Sequence, residues 1–299
     1  ERVFDIPTSE NAMTGIAIGC AIKHCPVVMT HQRLDFSFLA FDQIINNAAK
    51  IFYMFNGQFS VPITLRLIVG KGWGQGPTHA QSLQSLFAHI PGLKVVMPSN
   101  PDDAKKILIQ SIIDPNPVIY IEHRWLHDQK GHVEKGFKKK KIGKANLLMK
   151  GKDITIVSNS FMTTEALIAA KILKTNGIFA DLIDLCSIKP LDDQAILKSV
   201  KKTGRLLVLD GGHDFLSVAS EIISIVTTKQ FKSLKISPKK ISMPNFPVPT
   251  GYSLTKNFYP GYKEIIEYCE DVFKRKMIYE NISKNDFHDV PNEKFKGPF

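Results

Sequence analysis

Three side chains stand out by type and spacing: Glu10, Phe36 and His79, the last lying just beyond the loop Gly70-Lys71-Gly72-Trp73-Gly74-Gln75-Gly76. A carboxyl that loses its water on burial favours its neutral form, so a glutamate in a dry pocket can donate a hydrogen bond to a ring nitrogen. A phenylalanine offers a flat π-surface on which another ring stacks. A histidine beside a reacting carbon can donate to a developing oxyanion or handle protons. Each residue also has a plainer role. Glu10 follows Ser9 and precedes a run of small residues, where a glutamate serves a helix start and its dipole. Phe36 alone fits core packing, and His79 fits a hydrogen-bonded structural histidine. The loop has glycine at every second position, yet lacks the Lys-Ser/Thr ending of a P-loop and the acidic partner of a dinucleotide fingerprint. It better suits a backbone that passes close to a ring or a partner chain, which glycine permits.

The surrounding pattern says what must position these groups. In the first 130 residues, strand-like runs alternate with helix-like ones. Strands are expected at 26–29, 62–69, 93–97 and 117–122. Helices are expected at 11–21, 36–54, 80–88 and 101–113, the last started by Asn100 and Pro101. This alternation implies a parallel sheet covered on both faces. Residues 131–152 lose periodicity and are rich in Gly and Lys, as an interdomain linker would be. The alternation restarts with strands at 154–158, 180–185, 206–209 and 235–241, and helices at 163–174, 192–201, 215–227 and 262–275. The expected architecture is α/β in two domains, 1–130 and 153–276, with a basic linker at 131–152 and a polar tail at 277–299. A length of 299 residues agrees with two domains.

Composition narrows the function classes. The net charge of +11 raises the question of nucleic acid. The lysines crowd one stretch, from Lys135 to Lys152, with no zinc-finger spacing or aromatic RNA-binding signature, so a solvated linker explains them and no nucleic-acid partner is expected. Four cysteines form no CxxC pair, and Cys20 and Cys186 lie in apolar runs, as expected of free thiols in a reducing compartment. No apolar stretch approaches ~20 residues, so no membrane span is expected.

The segments Phe4-Asp5-Ile6-Pro7-Thr8-Ser9-Glu10, Leu34-Asp35-Phe36-Ser37-Phe38-Leu39-Ala40-Phe41-Asp42-Gln43 and Thr78-His79-Ala80-Gln81-Ser82 share their order and intervals with a known family, including the 26 residues from Glu10 to Phe36. On them, the chain resembles the beta subunit of thiamine-diphosphate-dependent 2-oxo acid dehydrogenases, the pyruvate dehydrogenase-like decarboxylating component, from residue 1 to about residue 275. Asp184-Leu185-Cys186-Ser187-Ile188-Lys189-Pro190-Leu191-Asp192 and Asp210-Gly211-Gly212-His213 match landmarks of the transketolase-like C-terminal domain. The resemblance implies a pyrimidine-binding domain followed by a transketolase C-terminal-like domain. It makes Glu10 the carboxyl that switches on the coenzyme through its aminopyrimidine, Phe36 the ring stacked on that group, and His79 the active-site histidine. Measured against the family, the chain starts late, without the usual opening helix and first strand.

No Gly-Asp-Gly motif for holding magnesium and diphosphate occurs, so no metal ligands are assigned to this chain. The resemblance places Mg2+ and the diphosphate on a separate alpha subunit, in an α2β2 assembly with beta–beta contacts. The enzyme is then active only with that alpha subunit, and a lipoyl-bearing acyltransferase is a further partner. The expected compartment is the cytoplasm, or the mitochondrial matrix in a eukaryote. Two alternatives remain: a carboligating subunit of transketolase or synthase type, and a non-catalytic assembly subunit. His31 and Arg33 depart from the family, which is less basic just before the stacking residue. They point either to a polar, hydroxylated or phosphorylated substrate or to a subunit interface.

Overall fold

The computed structural model describes residues 2–280, and, among these, ten strands form two sheets. The strands are β1 (Val27–His31), β2 (Ile63–Val69), β3 (Lys94–Val96), β4 (Val118–His123), β5 (Asn146–Met149), β6 (Ile154–Ser158), β7 (Ala180–Asp184), β8 (Ser187–Lys189), β9 (Leu206–His213) and β10 (Lys239–Met243). The helices are α1 (Glu10–Ile22), α2 (Ile51–Met54), α3 (Gln84–His89), α4 (Pro101–Ile112), α5 (Ser160–Thr175), α6 (Asp193–Thr203), α7 (Val218–Gln230), α8 (Tyr252–Thr255) and α9 (Tyr262–Phe273). The polar tail expected at 277–299 falls, from residue 281 on, outside the described residues.

The first sheet has the order β1-β2-β4-β3-β8 and the second β10-β9-β6-β7-β5. In each, four strands run parallel and one edge strand, β8 or β5, is antiparallel. Central strands such as β6 and β7 are buried along their whole length, as expected when helices cover both faces. The α/β class and its dominant parallel pairing follow from the β-branched runs separated by amphipathic helices.

The two halves share more structure than a linker implies. Strand β8 comes from the C-terminal half but closes the first sheet, pairing Val95 with Lys189. The largest apolar core runs from Ile63, Leu65 and Leu67 through Val157 and Ile188 to Val200 and Val226. Strand β5 lies inside the stretch expected as linker and pairs with β7. Nor is the lysine run wholly solvated. Lys140 Nζ donates to Asp103 Oδ1 at 2.8 Å and to Asn146 Oδ1 at 2.6 Å, and lies 3.4 Å from the Cys186 sulfur. The Ser99 hydroxyl and the Cys186 thiol both donate to the Asp184 carboxylate, so α4, the basic segment, β5 and β7 meet in one buried polar knot. Cys186 is buried in that knot, while Cys20 is exposed, contrary to its apolar neighbourhood in sequence.

Three further elements differ from expectation for visible reasons. The helix expected over 36–54 is a 3-10 turn at Leu34–Ala40, a π-turn at Gln43–Ala48 and the short α2. The Ser37 hydroxyl donates to Leu34 O at 2.6 Å, and the Asn46 and Asn47 amides donate back to Asp42 and Gln43. Ile44 and Ala48 still reach the core, so the apolar pattern survives a changed winding. The helix expected over 80–88 begins only at Gln84, because Ala80–Leu83 lead in without helical winding and Gln81 donates to Asp35 Oδ1 at 2.7 Å. Strand β9 continues through Gly211 and Gly212, where the pair of glycines suggests a stop. A Cβ on Gly212 would meet Gln84 Nε2 at 2.9 Å and Ser82 O at 3.0 Å, so glycine there allows the halves to touch. The buried Asp210 completes this latch, accepting from Gln84 Nε2 at 2.6 Å and from the amides of Gly212 and Ala219.

Candidate active site

Ligands of open parallel sheets bind outside the carboxyl ends of the strands. In the first sheet that edge is formed by His31 at the end of β1, Gly70 just past β2 and His123 at the end of β4. A helix packed between parallel strands runs against them, which brings the N-terminus of α1, and Glu10, to the same edge. Glu10 is half-buried as the first residue of α1. Its side chain makes no hydrogen bond among the described residues, and Ser9 offers α1 no side-chain cap. Glu10 thus sits in the first turn of α1, where a carboxylate complements the helix dipole, without a capping contact. His31 is buried, and burial lowers its imidazole below the usual value, the Glu10 carboxylate pulling partly the other way.

Phe36 and His79 meet. Their rings lie edge to face, 5.5 Å between centroids and 77° between planes. Phe36 is half-buried in the 3-10 turn, and His79 is exposed, with Nδ1 3.0 Å from the Thr78 hydroxyl. The turn after β1 presents the first ring, and the glycine loop delivers the second. Gly72, Trp73, Gly74 and Gly76 take φ of 94°, 56°, 64° and 65°, a left-handed path that favours glycine at three of the four positions. Asp35, next to Phe36, accepts from Gln81, and burial is the main cause raising its carboxyl above the ordinary value.

Arg33, also in this turn, is 4% exposed, and neither terminal nitrogen of its guanidinium has a partner among the described residues. Burial, then the neighbouring Arg124 charge, lowers its pKa, against a pull upward from Asp35. Arg66 is different: it donates to both oxygens of Glu122 at 2.8 and 2.9 Å, a closed bidentate pair across β2 and β4.

Other residues at this edge were not assigned to the site from sequence. His123 stacks on Phe161 of the second half at 4.8 Å and 18°, and burial drives its pKa well down. The Lys71 ammonium lies over Trp125, Phe161 and Tyr259, at 4.6, 4.8 and 5.1 Å from their centroids. The glycine loop is thus held against the second half by a cation in an aromatic box. The available signal was the run Glu122-His123-Arg124-Trp125 at a strand's carboxyl end. Three groups that could suggest a metal, Asp103, Asp184 and Cys186, are instead bridged by Lys140 and Asn146.

The sequence matches two family descriptions, "Transketolase, pyrimidine binding domain" over residues 1–128 and "Transketolase, C-terminal domain" over residues 143–265. It is 40% identical over 265 residues to the acetoin:2,6-dichlorophenolindophenol oxidoreductase subunit beta of Cupriavidus necator, covering 89% of this chain and 78% of that protein. The pyruvate dehydrogenase E1 component subunit beta of Rickettsia felis is 35% identical over 272 residues, covering 91% and 83%. The chain belongs to this family of E1 beta subunits. A solved structure titled "Split gene transketolase, inactive beta4 tetramer" shares its fold, with a TM-score of 0.74 over 91% of this chain and 84% of that one, at 20% identity.

Membership in this thiamine-diphosphate-dependent family gives a group against which to test the site. The aminopyrimidine end of the coenzyme needs a carboxyl and a stacking ring. Among the described residues, Glu10 has a side chain without a hydrogen-bond partner and Phe36 an incompletely covered ring at the same sheet edge, so the residues fit. No described helix is long and apolar enough to cross a membrane.

Proposed function

We propose that this chain is the beta subunit of an enzyme that decarboxylates a 2-oxo acid, supplying the coenzyme-activating Glu10. The observation that carries the proposal is that Glu10 starts α1 at the sheet edge where Phe36 meets His79, its side chain making no hydrogen bond among the described residues. When bound, thiamine diphosphate supplies a carbanion-forming carbon and an electron sink. Glu10 holds a proton at the far ring nitrogen of the aminopyrimidine. Phe36 fixes the plane of that ring by stacking. His79, exposed beside Phe36, is free to reach a substrate oxygen and to donate a hydrogen bond or proton there.

The diphosphate and Mg2+ belong to an alpha subunit carrying the Gly-Asp-Gly motif that this chain lacks. Activity then requires both chains, in an α2β2 assembly with beta–beta contacts, and an acyl acceptor such as a lipoyl-bearing acyltransferase. We propose domains at 1–130 and 153–276, with β5 of the intervening segment completing the second sheet, and the enzyme in the cytoplasm, or the mitochondrial matrix in a eukaryote. The test is reconstitution with the Gly-Asp-Gly-bearing partner, followed by coenzyme-dependent reduction of an artificial electron acceptor on a 2-oxo acid. Turnover only with both chains supports the proposal. A reconstituted complex that binds no coenzyme would instead make this an assembly subunit.

A further inference from the structure

Near Phe36 in sequence, four hydrogen-bonding atoms are buried without a partner among the described residues: Nε2 of His31, Nη1 and Nη2 of Arg33, and Oδ2 of Asp35. The Arg33 pair is the most demanding, because a guanidinium cannot shed its proton to escape desolvation as a histidine can. A buried charge without a partner is costly, so a retained one implies a partner that completes it. The charges facing it do not. Asp35 has one oxygen taken by Gln81, and burial already favours its neutral form. Arg124 presents a like charge from beyond β4, and His123 is driven toward neutrality by burial. Glu122, a further carboxylate on β4, is closed in its bidentate pair with Arg66. On the β2 side the backbone of Gly70 lies against the guanidinium: a Cβ there would sit 3.7 Å from Nη1 and 3.1 Å from the Arg124 Cβ.

We propose that Arg33 binds a non-reacting anionic group of the substrate, so that the substrate is a 2-oxo acid with a second negative charge, a phosphate or a distal carboxylate. The inference rests on the decarboxylase function proposed above and deepens it. The reacting carboxylate is a poor partner for Arg33. It loses its charge as carbon dioxide leaves, and a guanidinium bonded to it would stabilise the starting state more than the transition state. A distal anion keeps its charge throughout, so its binding orients the substrate without opposing the reaction. The planar fork of arginine, with two free nitrogens, matches two oxygens of either anion. Both nitrogens are closed off by the protein's own atoms, with Gly70 against one of them, so anion binding requires the loop that starts at Gly70 to shift aside.

Loop displacement gives a readout independent of turnover. The chain has two tryptophans, Trp73 in the loop and Trp125 beside it, with rings 6.0 Å apart. The full chain is titrated with inorganic phosphate and, separately, with glutarate, following tryptophan fluorescence and heat. We expect one saturable site, with affinity at least ~10-fold lower in Arg33→Met and intermediate in Arg33→Lys, as for a charge-assisted contact. The better of the two anions names the group. In the complex with the alpha subunit, kcat/KM for 2-oxoglutarate and for 3-phosphonopyruvate is compared with that for pyruvate. The preference for the better anionic probe should fall at least ~30-fold in Arg33→Met, the scale of losing a desolvated charge pair. No binding of either anion, equal affinity in the variants, or equal losses on all three substrates overturns the inference. So does loss of assembly with the alpha subunit in Arg33→Met, which would give the guanidinium a partner-chain carboxylate. Absence of turnover on every 2-oxo acid removes the decarboxylase reading instead, and the anion titration still decides Arg33.

Discussion

Lys140→Met should destabilise the protein well beyond what a charge in a basic run would suggest. The Lys140 and Asp103 side chains are 15% and 9% exposed, and the pair is 2.8 Å apart. Hydrogen bonds from Lys140, Asn100 and Asn146, with the Lys140 charge, outweigh the burial that would raise Asp103 and hold its carboxyl below the usual range. Removing one partner of a buried pair costs ~3–5 kcal/mol. Because neither side chain is wholly enclosed, the lower end, about 3 kcal/mol at pH 7, is expected. At ~2–4 °C per kcal/mol for a protein of about this size, the melting temperature should fall by roughly 6–12 °C. The pH dependence has a definite sign. A carboxyl with a depressed folded pKa stabilises the fold above its unfolded value of ~3.9 and loses that contribution as pH falls through the folded value. In the variant, Asp103 loses its cation, faces Asp184 and takes up a proton at higher pH, so the gap to wild type should narrow from pH 7 toward pH 4. Scanning calorimetry at one scan rate measures this, with Lys144→Met as control. Lys144 is 58% exposed and 3.7 Å from Asp192, a pair expected to contribute under ~1 kcal/mol. A Lys140→Met shift no larger than the control, or one that does not change with pH, would refute the reasoning.

Two other outcomes follow from the site. The isolated chain should bind thiamine diphosphate and Mg2+ only weakly, because nothing in its sequence holds the diphosphate; calorimetry showing micromolar stoichiometric binding without a partner would contradict the two-chain site. Phe36→Ala should weaken coenzyme affinity in the complex by ~0.5–1.5 kcal/mol beyond burial, about 2- to 13-fold, read from activity against coenzyme concentration. An unchanged affinity with a lower melting temperature would make Phe36 a packing residue alone.

Much of the architecture was legible because it depends on patterns that a parallel α/β sheet cannot avoid. Ile63–Val69 and Ile154–Ser158 are apolar runs of strand length, and Asn100-Pro101 and Asp192 sit where helices begin, each accepting from a backbone amide three residues on. What was not legible depends on contacts far apart in sequence. Three residues, Ser187–Lys189, cannot announce that they close the sheet of the other half. Lys140 looks like its neighbours until Asp103, Asn146 and Cys186 are gathered around it. The 36–54 segment kept its apolar spacing while its winding changed, with local side-chain hydrogen bonds at Ser37, Asn46 and Asn47, so periodicity alone reported one helix. At the candidate site, the three spaced residues were visible from sequence, but the meeting of Phe36 with His79 and the unpaired Arg33 nitrogens were not. Lys71 belonged to a glycine loop in sequence and to an aromatic box in space.

The most direct test of the central claim is the rate at which the reactive carbon of the coenzyme exchanges its proton for deuterium in the reconstituted complex, compared between wild type and Glu10→Gln. The glutamine keeps the size of the side chain but cannot share a proton with the ring nitrogen. If Glu10 activates the coenzyme, exchange should slow by at least ~10²-fold, the scale of a lost proton-transfer partner, with assembly and coenzyme occupancy intact. Exchange at the wild-type rate in a fully loaded Glu10→Gln complex would contradict the account and leave Glu10 as a helix-start residue.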